Sequence, residues 1–433
     1  MDSATITAFL AIGFIIFVGF FGNLIFSRFK VPDVLILIAI GMLLGPDILG
    51  NRFGIITDAS LESLNQFKDI ILSAALVIIL FDGGLSLDIR SVSESMRLSI
   101  LISVSAFAMS IIMVGLALHL IMGIDLLLAL CLGSIIGGTS SAIVMPIVNR
   151  MRIHPRTKAL LSIESVLTDV LVIVAALTIL SVILLGEIDV LLVTKDIASK
   201  FLLGALFGFI AGIGWLFVLR RLQNQPLSYM ITIGALFILA ALVEEPPISS
   251  SGAVAALAFG LAIGNREMVG KRLKSHSPTF RMNLQIQQFH TEITFFVRTF
   301  FFVYLGMFFR FSSFTEIHLV AGLLMISMVV LARWLASLMA SRIGNLEFAD
   351  SMAIFSLMPR GLAAAVLATL PAVMLQGTPY WSEGLGYLFL NTTLIVILGT
   401  TIIATILTFA TEKSVDRRIR KKTEKDLYAD GPS

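Results

Sequence analysis

Charge is what this sequence has least of. Asp, Glu, Lys and Arg make up 14% of its 433 residues, where a soluble domain carries about 25%. With 57% hydrophobic residues and a mean hydropathy of +0.98, that scarcity excludes an ordinary soluble domain and predicts a polytopic membrane protein. Cysteine is almost missing too. The single Cys131 rules out an intrachain disulfide, and its apolar setting reads as a small core residue. The first apolar run, 5–26, lacks the basic start of a signal peptide and is long enough to span, so it is expected to stay as a membrane segment.

What is there is apolar sequence in blocks. At about 20 residues per crossing, 13 spans are expected, the first six at 5–26, 33–49, 70–87, 98–122, 126–148 and 159–185. The remaining seven lie at 199–219, 229–243, 251–263, 292–309, 318–341, 352–375 and 385–410. Several fall short of a full crossing, as tilted, broken or protein-buried helices do. The loops on one side collect 23 Lys and Arg against five on the other, while Arg298, Arg333 and Arg360 lie within spans. This asymmetry places the N-terminus outside and the C-terminus in the cytoplasm. Residues 1–411 read as the transmembrane domain and 412–433 as a short basic tail. The run Arg417-Arg418-Ile419-Arg420-Lys421-Lys422 acts as a stop signal or, more sharply, meets anionic lipid headgroups. The tail is too short for a folded regulatory domain.

Two motifs repeat at a fixed interval. The second span ends Gly41-Met42-Leu43-Leu44-Gly45 and the ninth ends Gly260-Leu261-Ala262-Ile263-Gly264, seven spans later. Seven is odd, so a repeat at this offset has inverted orientation. The same offset pairs the fifth span, interrupted by Gly137-Gly138-Thr139-Ser140-Ser141, with the twelfth, which contains Ser356-Leu357-Met358-Pro359-Arg360-Gly361-Leu362-Ala363. A lone Gly-x-x-x-Gly only lets helices approach closely. Matched motifs with matched breaks point to an inverted-repeat carrier whose binding site lies at the breaks.

Acids inside spans are costly and mark function. Glu164 and Asp169 lie in the sixth span, within Ser162-Ile163-Glu164-Ser165-Val166-Leu167-Thr168-Asp169. On a helix Ser165 and Asp169 share a face, while Glu164 and Asp169 point about 140° apart. The two acids therefore have different partners. Asp169, Ser165 and the carbonyls at the Thr139–Ser140 break, with Thr168 beside them, form an all-oxygen set suited to a hard monovalent cation such as Na+. Proton and cation then compete for one carboxylate, which by itself couples their opposite fluxes. Glu164 is better explained by a buried pair with an arginine, either Arg333 or Arg360. Asp82, before Gly83-Gly84, lines a cytoplasmic entrance or simply ends a helix. His290 and Glu292 read as interfacial, and His154, in Arg152-Ile153-His154-Pro155-Arg156, as a solvated loop residue or a pH sensor.

At these residues the chain resembles the monovalent cation:proton antiporters, above all their NhaP-like prokaryotic branch. The resemblance runs from about Val31 to Ala410. It rests on Phe81-Asp82-Gly83-Gly84-Leu85, Gly138-Thr139-Ser140-Ser141-Ala142, Glu164 to Asp169, Phe300 to Gly306, and Pro359-Arg360-Gly361-Leu362-Ala363-Ala364. It implies an all-α fold of about 13 transmembrane helices with crossed broken helices. It also implies a transport core at 98–185 and 318–410, a dimerisation part at 5–87 and 199–309, a homodimer, and elevator-type motion. By position, Asp169 is the ion- and proton-binding acid, Ser165 a side-chain ligand and Thr139 a backbone ligand. Glu164 pairs with Arg333, and Arg360 stays near the crossing. Many relatives have Asn where this chain has Thr168, and Thr-Asp where it has Thr139-Ser140. The lost second acid leaves room for K+ beside Na+.

The expected activity is electroneutral Na+/H+ exchange in a prokaryotic cell membrane, with K+/H+ exchange as the alternative. The expected partners are a monovalent cation, a proton, the lipid bilayer and a second copy of the chain. No cofactor and no nucleic acid are expected. A channel would need a continuous polar pore, and an intramembrane enzyme a paired catalytic constellation. His119, alone in the fourth span, supplies none.

Overall fold

The computed structural model describes residues 33–53, 68–86, 89–185, 190–222, 228–266, 284–307 and 314–429, with positions 13, 16, 17, 20, 21, 268, 309 and 311. These residues form helices and short connections, with no strand among them. That is the economical solution for apolar chain, because a helix satisfies its own backbone where water is absent. Most of the first expected span lies outside the described residues, as do the side chains of His290, Arg298 and positions 417–422.

In chain order the helices are α1 (Asp33–Leu44), α2 (Lys68–Ser86), α3 (Ile89–Met122), α4 (Leu126–Ile135), α5 (Ser141–Arg150) and α6 (Pro155–Leu185). There follow α7 (Val190–Arg221), α8 (Ser228–Glu244), α9 (Gly252–Gly264), α10 (Leu284–Met307) and α11 (Glu316–Gly344). The chain closes with α12 (Phe348–Ser356), α13 (Leu362–Leu367), α14 (Leu370–Met374) and α15 (Glu383–Ala429). Among the described residues, five stretches are long and apolar enough to cross a membrane: Ser99–Met122, Pro155–Leu184, Leu202–Arg221, Glu316–Gly344 and Gly384–Ser414. Shorter apolar helices lie in the second, third, fifth, eighth, ninth and twelfth expected spans, and the two broken spans fall into separate halves.

Four helices run well beyond their apolar stretch. α3 starts at Ile89, α7 at Val190, α10 at Leu284, and α15 continues through the basic tail to Ala429. Hydropathy marks only the part fit for hydrocarbon, whereas helix hydrogen bonding continues through polar sequence. Local chemistry sets other ends. Asp125 caps α4 by accepting from the N–H groups of Leu127 and Leu128 at 3.0 and 3.3 Å. His119 Nδ1 lies 2.8 Å from the Ile124 carbonyl, which closes the turn after α3.

The packing interleaves the two halves. α1 packs on α10 and α9 packs on α2, so the second and third spans of each repeat exchange partners across the molecule. The glycines of the repeated motif form these seams. A Cβ on Gly41 would lie 2.8 Å from Gly306 Cα, and one on Gly264 would lie 3.0 Å from Leu85 Cα. α7 lies against α9 through Gly204, Gly208 and Gly212. A second group gathers around the breaks. α3 packs on α11, α4 and α6, while α15 packs on α11, α12 and α13.

Candidate functional site

The fifth span stops being helical after Ile135 and restarts at Ser141. The twelfth stops after Ser356 and restarts at Leu362. The two gaps meet: the Ser140 N–H donates to the Pro359 carbonyl at 2.9 Å. Gly361 permits this approach, because a Cβ there would overlap the Ser140 side chain. Gly138 plays the same part towards α6, where a Cβ would lie 2.9 Å from the Thr168 carbonyl.

Exposed backbone at membrane depth has to be satisfied by side chains. The Thr139 N–H donates to Thr168 Oγ1 at 3.1 Å, and the Thr139 and Thr168 hydroxyl oxygens lie 3.2 Å apart. The Thr168 hydroxyl is also within donating distance of the Thr139 and Ser165 carbonyls, at 3.3 and 3.2 Å. Across the crossing, the Arg360 N–H donates to Thr400 Oγ1 at 3.1 Å. Ser356 and Thr411 hydroxyls lie 3.2 Å apart and join α12 to α15.

Asp169 faces the start of α5. Its Oδ2 accepts from the Ser141 hydroxyl at 2.5 Å and from the Ser141 N–H at 3.2 Å. Ser141 is the first residue of α5, whose opening N–H groups have no carbonyl within the helix. Asp169 therefore caps that half-helix from another segment and meets the positive end of its dipole. No donor among the described residues reaches Asp169 Oδ1, and the residue keeps 8% exposure.

The sixth span's other acid has a separate partner, as the helix geometry predicts. Glu164, 1% exposed, forms a two-pronged ion pair with Arg333 of α11: Nη1 meets Oε1, and Nη2 donates to Oε2 at 3.1 Å. Arg333 Nε donates to the Ile354 carbonyl at 2.6 Å, which brings α12 into the same tie. The Arg360 side chain is 2% exposed and its Nε has no hydrogen-bond partner among the described residues. It lies within electrostatic reach of the Glu164–Arg333 pair.

Other residues singled out from the sequence fall elsewhere. The Ser165 hydroxyl, on the same helix as Asp169, donates to the Ser162 carbonyl at 3.0 Å. A helical serine has its own turn as a ready acceptor, and that bond wins here. Asp82 is half-buried on α2, a helix that touches α5 and α6, and lies within electrostatic reach of Tyr229. Glu292 is exposed on α10, and Cys131 is wholly buried. His154 belongs to a clasp: its N–H donates to Asp350 Oδ1 at 3.1 Å, and its Nδ1 accepts from the Arg156 N–H at 3.2 Å.

Sequence reasoning missed Ser141, Thr400 and Asp350. Ser141 had a signal, since the first residue after a break offers an orphan N–H and a hydroxyl together. No group of three or more His, Cys, Asp or Glu suited to a metal ion occurs among the described residues. The oxygen atoms at the crossing come instead from one carboxylate, several hydroxyls and the break carbonyls.

Comparison with known proteins agrees with this fold. A profile described as "Sodium/hydrogen exchanger, transmembrane" matches residues 12–413. A K(+)/H(+) antiporter NhaP2 of Shewanella sp. (strain MR-4) is 26% identical over 278 residues, 63% of this chain and 46% of the relative. The chain thus spans about half the length of the relatives of that kind. A probable Na(+)/H(+) antiporter 2 of Methanocaldococcus jannaschii is 26% identical, with 79% of each chain covered. Among solved structures, the sodium proton antiporter MjNhaP1 of the same organism superposes with a TM-score of 0.75 at 20% identity, covering 93% of this chain and 99% of that one.

Proposed function

The chain belongs to the sodium/hydrogen exchanger family, a family of multi-pass membrane transporters, and on that premise we propose that it exchanges Na+ for H+ at Asp169. The observation that carries this reading is the half-committed carboxylate. Oδ2 is held by Ser141 while Oδ1 meets no donor among the described residues. A proton or a cation at that acid satisfies the same charge, so one displaces the other. Coupling then needs no second titrating group, and the exchange is electroneutral, one for one.

The Thr139 carbonyl and the hydroxyls of Ser140, Ser165 and Thr168 lie on the same two segments and supply further hard oxygen. Ser165 takes part by turning its lone pairs to the ion while its proton stays on Ser162. Asp82 guides cations towards the crossing. Glu164 and Arg333 hold helices together rather than bind cargo, and Arg360 balances the negative charge of Asp169 from the crossing.

The helices around the breaks serve as the moving core, and α1, α2 and α7 to α10 as the dimerisation part of a homodimer. Packing that is denser within each group than between them supports this division. The core slides as an elevator to alternate access, with the N-terminus outside and the C-terminus in the cytoplasm of a prokaryote. Potassium/proton exchange is the second reading. It is favoured by the K(+)/H(+) relatives and by Ser140 standing where many relatives carry an acid.

Proteoliposomes with an imposed pH gradient, given Na+, K+ or Li+ separately, test both readings. Dissipation by Na+ supports the first and dissipation by K+ alone the second. A gradient that no cation dissipates rejects both.

A further inference from the structure

Ser141 has more to do than hold a helix end. Among the described residues it is the one side chain bonded to Asp169. Two other hydroxyls of the crossing spend their protons elsewhere. Ser165 donates to Ser162, and Thr168 donates to Thr139 or Ser165 carbonyls. The Ser141 proton can be redirected by rotation about its C–O bond. A serine hydroxyl is one donor with two lone pairs on a freely turning bond. If that proton rotates away, an sp³ oxygen 2.5 Å from Oδ2 presents lone pairs beside the carboxylate.

We propose that Ser141 is a specificity-determining ligand of the exchanged cation. Its hydroxyl donates to Asp169 Oδ2 when no cation is held and turns its oxygen to the ion when one arrives. This inference rests on the exchange reading above and extends it to a residue outside the set expected from the sequence. The step breaks one hydrogen bond and forms one cation–oxygen contact, with no covalent change. The Ser141 N–H stays on Oδ2 throughout, so the carboxylate keeps its orientation while the hydroxyl changes role.

The hydroxyl matters most to small cations. Na+ and Li+ lose more hydration energy than K+ on entering the site and need each short oxygen contact to offset it. Ser141 thus sets the ranking among monovalent cations, a task the missing second acid leaves to neutral oxygens.

The test uses the full chain in proteoliposomes with Na+, Li+ and K+ at one fixed pH, together with thermal stabilisation by NaCl and KCl in detergent. Ser141→Ala is expected to raise the apparent KM for Na+ and Li+ on the order of tenfold, the scale of one lost polar contact. KM for K+ should move less, and Ser141→Thr should restore the Na+ value. Stabilisation by NaCl should weaken in Ser141→Ala and return in Ser141→Thr. An unchanged KM ranking and unchanged stabilisation by NaCl in Ser141→Ala would overturn the inference while leaving the exchange reading intact. If the unaltered chain exchanges no cation and gains no stability from any, the exchange reading fails and this one falls with it.

Discussion

The Arg360 N–H and the Thr400 hydroxyl oxygen lie 3.1 Å apart, the same distance that separates the Thr139 N–H from Thr168 Oγ1. In each repeat a threonine on the intact helix holds an N–H that the break has stripped of its helical acceptor. The two bonds are related by the seven-span offset, with the fifth and sixth spans answering to the twelfth and thirteenth. Each repeat thus solves the same problem with the same residue. What differs is the next residue: Asp169 follows Thr168, whereas Thr401 follows Thr400. The polar crossing is symmetric in its scaffold and asymmetric in its charge.

Thr400→Val removes the acceptor while keeping the shape of the side chain. A buried N–H left without a partner costs about 1–3 kcal/mol. The variant should unfold at lower temperature in detergent and turn over more slowly, and Thr400→Ser should recover both. A stable, fully active Thr400→Val would show that the break needs no such support.

Asp169→Asn is expected to abolish exchange for every cation in proteoliposomes while size-exclusion chromatography shows an unchanged assembly. The amide can accept from the Ser141 hydroxyl, so the cap on α5 survives without the titrating charge. Retained exchange would remove Asp169 from the role assigned to it.

Glu164→Gln leaves Arg333 buried with no counter-charge, a change that costs about 3–5 kcal/mol. Thermal melts in detergent should fall accordingly, and the protein that remains folded should still exchange ions. Loss of transport in a fully stable Glu164→Gln would reverse the roles of the two acids.

Competition for one carboxylate makes a kinetic prediction. As pH falls, the apparent KM for Na+ should rise while Vmax at saturating Na+ holds, because the ion displaces the proton. Uptake measured over a range of Na+ at several pH values checks this. A Vmax that collapses at constant KM would mean that proton and cation bind at different places.

The seams can be tested by contrast. Gly260→Val drives a side chain into the Phe81 backbone and ring, and overpacking of this kind costs about 1–3 kcal/mol. Gly214, on α7, has nothing within 4 Å of where its Cβ would stand. Gly214→Ala should be neutral or stabilising by up to about 1 kcal/mol. Thermal stability of the two variants in one detergent decides the matter.

The sequence made some of this plain and hid the rest for physical reasons. Gly41-x-x-x-Gly45 and Gly260-x-x-x-Gly264 announced the repeat because close helix approach leaves no substitute for glycine. The breaks were legible because Pro359 with Gly361, and the pair Gly137-Gly138, weaken a helix in the middle of an apolar run. That Glu164 needs an arginine followed from the cost of a bare buried charge. Which arginine it takes is a matter of tertiary placement, since Arg333 and Arg360 meet the requirement equally on paper. The acceptor of the Ser165 proton was not legible, because helical spacing gives the face of a side chain but not the bond its hydroxyl makes. The extra turns at the ends of α3, α7, α10 and α15 escaped because apolarity reports the lipid and not the length of the helix.

The interleaved seams also bear on how the chain is made. Gly41 meets Gly306, and Phe81 meets Gly260, so both contacts join segments that leave the ribosome far apart in time. At synthesis rates of about 5–20 residues per second, α1 waits roughly 15–50 seconds for α10. Until then its small-residue face has lipid for company. The newborn first half is therefore an unfinished insertion intermediate, a natural client for whatever shelters polytopic proteins during biogenesis.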